Sequence, residues 1–324
     1  MLRSTYKRYL TLHVLLASMV FLPSIVWAAT LHSIIVADVN DLGIGADQDV
    51  AAFQKLTNII RRSTCLGGED IVIHAGRGKR KAITDTLNRL PINPDDVVFF
   101  YYSGHGANPG GGDPWPILGV EGQSGGNLLK LSSVQKTLQG KNPRLLITIA
   151  DACNKPTPGT ADRGRRATNQ PAGFKKLFLG YRGTIIASSS IPHQYSYGDP
   201  QNGGLFTQQF LSALNEVQAS SNPNWEKVKK MATKTIETRR NDQPKQQPQM
   251  KFENLVSLGG RRDDNNWSCP DGPSDTSIDS KQKLPPTLPR TSNYPTCGSG
   301  VERNPATNEY CCDLGGGRLD CYKY

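Results

Sequence analysis

The chain has 324 residues, 36% of them hydrophobic, and a net charge of +10. That apolar content can build a packed core and excludes a wholly disordered chain, and the length fits one or two ordinary domains. The basic excess is modest; with no zinc-finger spacing or other binding motif in the sequence it reads as a solvated face, not a nucleic-acid interface.

Residues 1–28 open with Arg3, Lys7 and Arg8 and continue into an apolar run from about Leu10 to Trp27, ending at Ala28 and Ala29. A charged start, an apolar stretch and small residues at the end form the order of a secretory signal. An uncleaved anchor is the alternative. Thr11, His13, Ser18 and Pro23 interrupt the run, however, and it barely reaches spanning length. Removal of the signal lowers the charge from +10 to +7 and sends the chain to the periplasm or the exterior. No later segment is apolar enough to span a bilayer.

From residue 31 to 217 strand-like and helix-like patterns alternate. Residues 33–39 form a β-branched run, and 46–62 carry Val50, Phe53, Leu56, Ile59 and Ile60 at helical spacing. Residues 70–75 read as a strand and 81–90 as a helix. Residues 97–103 (VVFFYYS) form a continuous apolar strand, as expected when both sheet faces are covered. Residues 132–138 predict a short helix capped by Ser132. Residues 145–150 and 183–188 predict buried strands, and 206–217 and 225–240 amphipathic helices. This order points to an α/β fold, an open and mostly parallel sheet flanked by helices. Two irregular stretches, 108–126 and 155–171, are rich in Gly and Pro. The folded domain is expected over 29–260, followed by a polar, Pro-rich linker over 261–293 and a Cys-rich tail over 294–324.

Cys65 and Cys153 stand apart from Cys269, Cys297, Cys311, Cys312 and Cys321, which crowd the last quarter. In an oxidising compartment such cysteines form disulfides. If Cys153 stays a free thiol, six remain for three bridges whose connectivity is open. The tail is too short for a hydrophobic core, so bridges are expected to hold it. Zinc is set aside: the sequence contains no Cys-x-x-Cys pair, and the tail contains no histidine.

Two strand ends carry candidate chemistry. Tyr101-Tyr102-Ser103-Gly104-His105-Gly106 takes an apolar strand into a Gly-His-Gly turn, and Ile149-Ala150-Asp151-Ala152-Cys153-Asn154 ends another. At the C-terminal tips of neighbouring parallel strands, His105 and Cys153 can sit side by side. Imidazole beside a thiol lowers the thiol pKa, supplies a nucleophile and can protonate a leaving amine. The amides of Gly106 and Cys153 are candidates for an oxyanion hole. No third catalytic residue is evident. His32, His74 and His193 read as structural, and Phe99, Phe100, Tyr101 and Tyr102 as core.

These two stretches resemble the signatures of the caspase/metacaspase superfamily of cysteine peptidases. His105 precedes Cys153 by 48 positions, which fits that family's spacing. The resemblance covers about residues 31–217 and includes Gly204-Leu205-Phe206-Thr207. Asp-Ala-Cys, in place of the caspase Gln-Ala-Cys, is similar to the bacterial, metacaspase-like variant. The resemblance implies a caspase-like sheet and cleavage after Arg or Lys. It implies an acidic S1 pocket made by Asp151, Ser103 and an acid of the first helix, Asp49, with Asp47 as competitor. A carboxylate near the thiol is also what a guanidinium or ammonium group needs. Ser188 and Ser189 are further candidates for lining the pocket.

Arg163, Arg165 and Arg166 form a candidate self-cleavage site if the enzyme prefers basic residues. Many metacaspases need calcium, but only Asp113 and Glu121 lie in the loop beyond His105, so no cofactor is expected and calcium activation is kept only as an alternative. The expected partners are protein or peptide substrates, with an envelope or surface partner as a possible role for the tail. The rival readings are a silent binding module acting through its tail, with Cys153 oxidised, as in a bridge to Cys65, or the pocket blocked, and a structural envelope protein whose tail binds glycan or a partner protein.

Overall fold

The structure, a computed structural model, describes residues 29–41, 44–75, 79–108, 110–120, 129–155, 172–238 and 243–259, and the backbone of three strands in the tail. The expected signal segment, linker and Arg163–Arg166 site lie outside the described residues. The chain divides into two units, 1–272 and 273–324.

In chain order the first unit holds β1 (Leu31–Ala37), α1 (Ala46–Thr64), β2 (Asp70–His74), α2 (Arg80–Arg89), β3 (Val97–Ser103), β4 (Gly106–Ala107), β5 (Ile117–Leu118), β6 (Leu129–Lys130), α3 (Leu131–Gln139) and β7 (Leu145–Asp151). It continues through α4 (Ala172–Leu179), β8 (Tyr181–Ser188), β9 (Gly198–Asp199), β10 (Gly203–Gly204), α5 (Leu205–Gln218), α6 (Trp225–Ala232), β11 (Ile236–Glu237), β12 (Lys245–Gln246) and β13 (Gln249–Ser257). The main sheet runs β13-β8-β7-β3-β1-β2. Its strands are parallel except β13, which pairs antiparallel with β8 at one edge. The second unit contains a three-stranded antiparallel sheet, β14 (Val301–Asn304), β15 (Glu309–Asp313) and β16 (Leu319–Tyr322).

Every residue of β3 and β7 is buried, because successive side chains feed two different cores. Val97, Phe99 and Tyr101 join Leu145, Ile147 and Ile149 under α1, α4, α5 and α6. Val98, Phe100 and Tyr102 join Leu146 and Ala150 under α2 and α3. In α1 the helical spacing of Phe53, Leu56 and Ile60 turns that stripe onto the sheet. Phe53 stacks on Tyr101 with ring centroids 3.5 Å apart and meets the edge of Phe99 at 5.4 Å. Each such buried side chain stabilises the fold by about 1.5–3 kcal/mol.

Several sequence expectations shift. The strand expected at 33–39 is β1 at Leu31–Ala37. The helix expected over 225–240 ends at Ala232, where the backbone N–H of Thr233 closes onto Lys229 and Met231 carbonyls; a short strand follows. Ser132 does not cap α3: Lys130 occupies that position without a side-chain cap, and Ser132 Oγ donates to Asp113 Oδ2 at 2.5 Å. The stretch expected to be irregular after residue 108 contains β5, which pairs with β4 and β6. The sequence reading also missed α4 and β13. Among the described residues no helix is long and apolar enough to cross a membrane.

Candidate active site

The three central strands end at one level. Ala37 of β1 is in register with Ser103 of β3, and Ser103 with Asp151 of β7. The Asp38 amide extends the ladder to Ser103 O (2.9 Å), and the Gly104 amide extends it to Asp151 O (3.2 Å). Beyond these ends the chain leaves the sheet, carrying Asp41 after β1, His105 after β3 and Cys153 after β7. This is the carboxyl edge of a parallel sheet, beside the point where strand order reverses between β1 and β3. Open α/β sheets place their sites there.

His105 is held on both sides. Its carbonyl accepts from Tyr102 Oη (2.6 Å) and from the Gly119 amide (2.8 Å). Its Nε2 lies 2.8 Å from Asp41 Oδ2. That hydrogen bond, with the charges of Asp41 and Asp38, raises the imidazole pKa above its ordinary value against the opposing effect of burial. The two side chains remain 42% and 38% exposed.

Cys153 is a thiol outside any disulfide, 5% exposed. Its Sγ lies 3.5 Å from the Ser196 carbonyl and accepts the Ser196 amide at 3.4 Å. The turn that carries it is braced from below. The Ala152 amide donates to Ser189 Oγ, and Ser189 Oγ donates back to the Ala152 carbonyl. The next residue, Asn154, is fully buried; its amide group donates to the carbonyls of Pro114 and Ser190 and accepts from Asn108 Nδ2.

His105 and Cys153 line one cleft with Ser103, Asp151, Ser196, Tyr197, Gly198 and Gly204. Its floor is acidic. Asp151 Oδ1 accepts from Ser196 Oγ (2.6 Å), and Oδ2 accepts from the amide and hydroxyl of Thr207 (2.9 and 2.8 Å). Asp49 Oδ2 accepts from Ser103 Oγ (2.6 Å), and Oδ1 accepts from the Gly204 amide (2.9 Å). Both carboxylates are buried. Burial raises both pKa values, and the charge of Asp151 pushes Asp49 further, well above its ordinary value. Gly203 and Gly204 make this possible: a Cβ on either would stand 2.0 Å from a carboxylate oxygen, of Asp49 and Asp151 respectively.

The structure therefore brings together His105, Cys153, Asp151, Ser103 and Asp49. Gly106 is also close, since a Cβ there would lie 2.6 Å from the Cys153 carbonyl. Asp49 stands behind Ser103 and does not itself line the cleft; Asp47, its competitor, bonds its neighbour Gln48. Ser188 and Ser189 do not line the pocket. Both are fully buried, where Ser188 bonds the Ser190 carbonyl and Ser189 holds the Cys153 turn. Asp113 accepts from Ser132 and the Trp115 amide, and Glu121 lies outside the described residues. Among the described residues no cluster of three or more His, Cys, Asp or Glu could hold a metal. His32 bonds Asp96 at 2.9 Å, remote from the cleft along the strands.

Sequence reasoning missed Asp41, Ser196 and the role of Thr207. Thr207 sat inside the noted Gly-Leu-Phe-Thr stretch, so its position was visible and its bond to Asp151 was not. Asp41 was visible only as one acid among several after β1.

Among solved structures, caspase-1 from Spodoptera frugiperda is similar at 14% sequence identity, over 72% of this chain and 92% of that one, with a TM-score of 0.45. No curated protein matches the chain. The family model for the caspase domain matches residues 44–258, which include His105, Cys153 and the acidic floor of the cleft. This match spans most of the chain, and the chain belongs to the caspase-domain family.

Proposed function

We propose that the chain is a cysteine endopeptidase that cleaves protein or peptide substrates after Arg or Lys. The observation that carries this reading is one cleft lined by the Cys153 thiol, a carboxylate-bonded imidazole and the buried Asp151 carboxylate, with Asp49 behind Ser103. His105 takes the Cys153 proton, and the thiolate attacks the carbonyl carbon beside the P1 residue. The new S–C bond places charge on the carbonyl oxygen, and the Gly106 and Cys153 amides are assigned to receive it. The C–N bond then breaks, and His105 returns the proton to the departing amine. Water, deprotonated by His105, hydrolyses the thioester and regenerates the thiol.

The P1 preference follows from Asp151 and Asp49. Two carboxylates buried together favour a cation, which relieves the penalty that raises their pKa values. Ser103 bonds Asp49 and orients it. No step in this scheme requires a metal. The position of Cys153 outside any disulfide supports catalysis over a silent module bridged to Cys65. A disulfide at Cys65 supports an oxidising compartment and therefore export. The Cys-rich tail is assigned to contacts with an envelope or surface partner.

Labelling tests this reading. Peptidyl chloromethyl ketones ending in Arg, Lys or Asp are mixed with reduced protein, and the adduct is mapped by mass spectrometry. Selective adducts of the Arg and Lys reagents on Cys153 are expected. A preference for the Asp reagent would overturn the acidic-pocket assignment, and no adduct on Cys153 would overturn the peptidase reading.

A further inference from the structure

We propose that Asp41 is a positioning residue for His105, making the site a carboxylate–imidazole–thiol relay in place of a simple Cys-His pair. In the sheet the strands lie in the order β1, β3, β7. The residues that follow them are, in the same order, Asp41, His105 and Cys153. The imidazole is thus delivered between a carboxylate and a thiol by three adjacent strands in continuous register.

The contact selects one ring nitrogen. Asp41 Oδ2 sits on Nε2 at 2.8 Å. A carboxylate can only accept there, so neutral His105 carries its proton on Nε2. That leaves the lone pair on Nδ1 as the ring's proton acceptor for Cys153, which lines the same cleft. When the proton passes from Sγ to Nδ1, the Nε2–H···Asp41 bond becomes charge-assisted and strengthens. The interaction is therefore stronger in the charged state that chemistry needs than in the resting state.

The approach of Asp41 is fixed by backbone. The Asp38 amide bonds Ser103, the Asp41 amide bonds the Asp38 carbonyl (3.3 Å), and the Ile44 amide bonds the Asp41 carbonyl (3.4 Å). With both side chains more than a third exposed, such a pair contributes little to folding. Orientation of the imidazole is the effect it can have. The other groups facing His105 are Asp38 from the same loop and, across the cleft, Cys153; Tyr102 bonds its carbonyl.

This inference rests on the peptidase reading, and its test separates the two. Full-length Asp41→Asn, Asp41→Ala and Asp41→Glu are compared with the unaltered protein. Readouts are kcat and KM on an Arg peptide over pH, and the rate at which iodoacetamide alkylates Cys153 over pH, with thermal melts as a folding control. In Asp41→Asn, kcat should fall about 10- to 100-fold, as when a histidine loses its orienting carboxylate, with KM changed less than about threefold. The alkaline limb of activity should move to lower pH, because His105 holds its proton less tightly. Alkylation near neutral pH should slow, and Asp41→Glu should restore part of kcat.

Unchanged kcat and an unmoved alkaline limb in Asp41→Asn would overturn the proposal. So would a loss of kcat with an unshifted alkylation profile, which marks a structural role. If Asp41→Ala does not fold, Asp41→Asn decides. If no peptide is cleaved even by the unaltered protein, the alkylation profile alone decides.

Discussion

Ser103 and Asp151 face each other in register at the ends of β3 and β7, and each stands two residues before a member of the proposed catalytic pair, His105 and Cys153. One strand pairing thus sets the level of imidazole and thiol. It also sets the floor beneath them, because the Ser103 hydroxyl bonds Asp49 and Asp151 bonds Thr207 and Ser196.

The acidic floor predicts substrate choice. Asp151→Asn removes a carboxylate that would pair with a desolvated guanidinium, so kcat/KM for Arg peptides should fall about 100-fold. The loss should appear mainly in KM, with chemistry at Cys153 retained. Steady-state kinetics on Arg and neutral P1 peptides check this, and an equal loss on both would contradict it.

The same floor predicts a pH-dependent cost. Asp49 has its pKa raised on folding, chiefly by burial, so the folded protein holds this proton more tightly than the unfolded chain. Its stabilising effect is complete below the ordinary value of 3.8 and is lost as pH rises through the folded value. Asp49→Asn keeps the shape and removes that loss. Its melting temperature at pH 7 should exceed that of the unaltered protein, with the difference closing as pH approaches 4. A lower melting temperature at pH 7 would show that the Ser103 and Gly204 bonds matter more than the burial cost.

Gly204→Ala tests the close approach. Its Cβ would stand 2.0 Å from Asp151 Oδ2. Either Asp151 or the start of α5 must shift, and Arg-directed activity should fall more than about tenfold, in line with the cost of small misplacements in active sites. Kinetics with a thermal melt separate a displaced pocket from an unfolded chain.

The central architecture was legible because β3 and β7 are continuous apolar runs, the mark of strands covered on both faces. His105, Cys153, Asp151 and Ser103 were legible because they end those runs. Asp49 was found with Asp47 as rival; only the tertiary bond to Ser103 separates the two. The edge strand β13 was hidden by its mixed, half-exposed pattern, and α4 by its short length. The over-long helix at 225–240 kept its helical period past Ala232, where tertiary pairing of β11 with β12 takes over. Asp41 lies 64 residues before His105, and no local pattern announces that contact.

Asn154→Ala tests the support of the nucleophile. It removes the bonds that join this amide to Pro114, Ser190 and Asn108 in the interior, while the two carbonyls keep Gln249 and Ser188 as donors and Asn108 keeps the Asp113 carbonyl. A cost of about 0.5–1.5 kcal/mol for each lost bond is expected. Chemical denaturation measures it, and kcat should fall more than KM rises because the Cys153 turn loses its anchor.

Hydrolysis of fluorogenic peptides ending in Arg, Lys or Asp decides whether Cys153 acts as a peptidase nucleophile beside a pocket for basic side chains. The protein from Ala29 and its Cys153→Ala variant are assayed under reducing conditions, with and without calcium. The account predicts cleavage after Arg and Lys by the unaltered protein and none by Cys153→Ala. Cleavage after Asp would contradict the acidic pocket, and cleavage that survives in Cys153→Ala, or no cleavage of any peptide, would contradict Cys153 as a peptidase nucleophile.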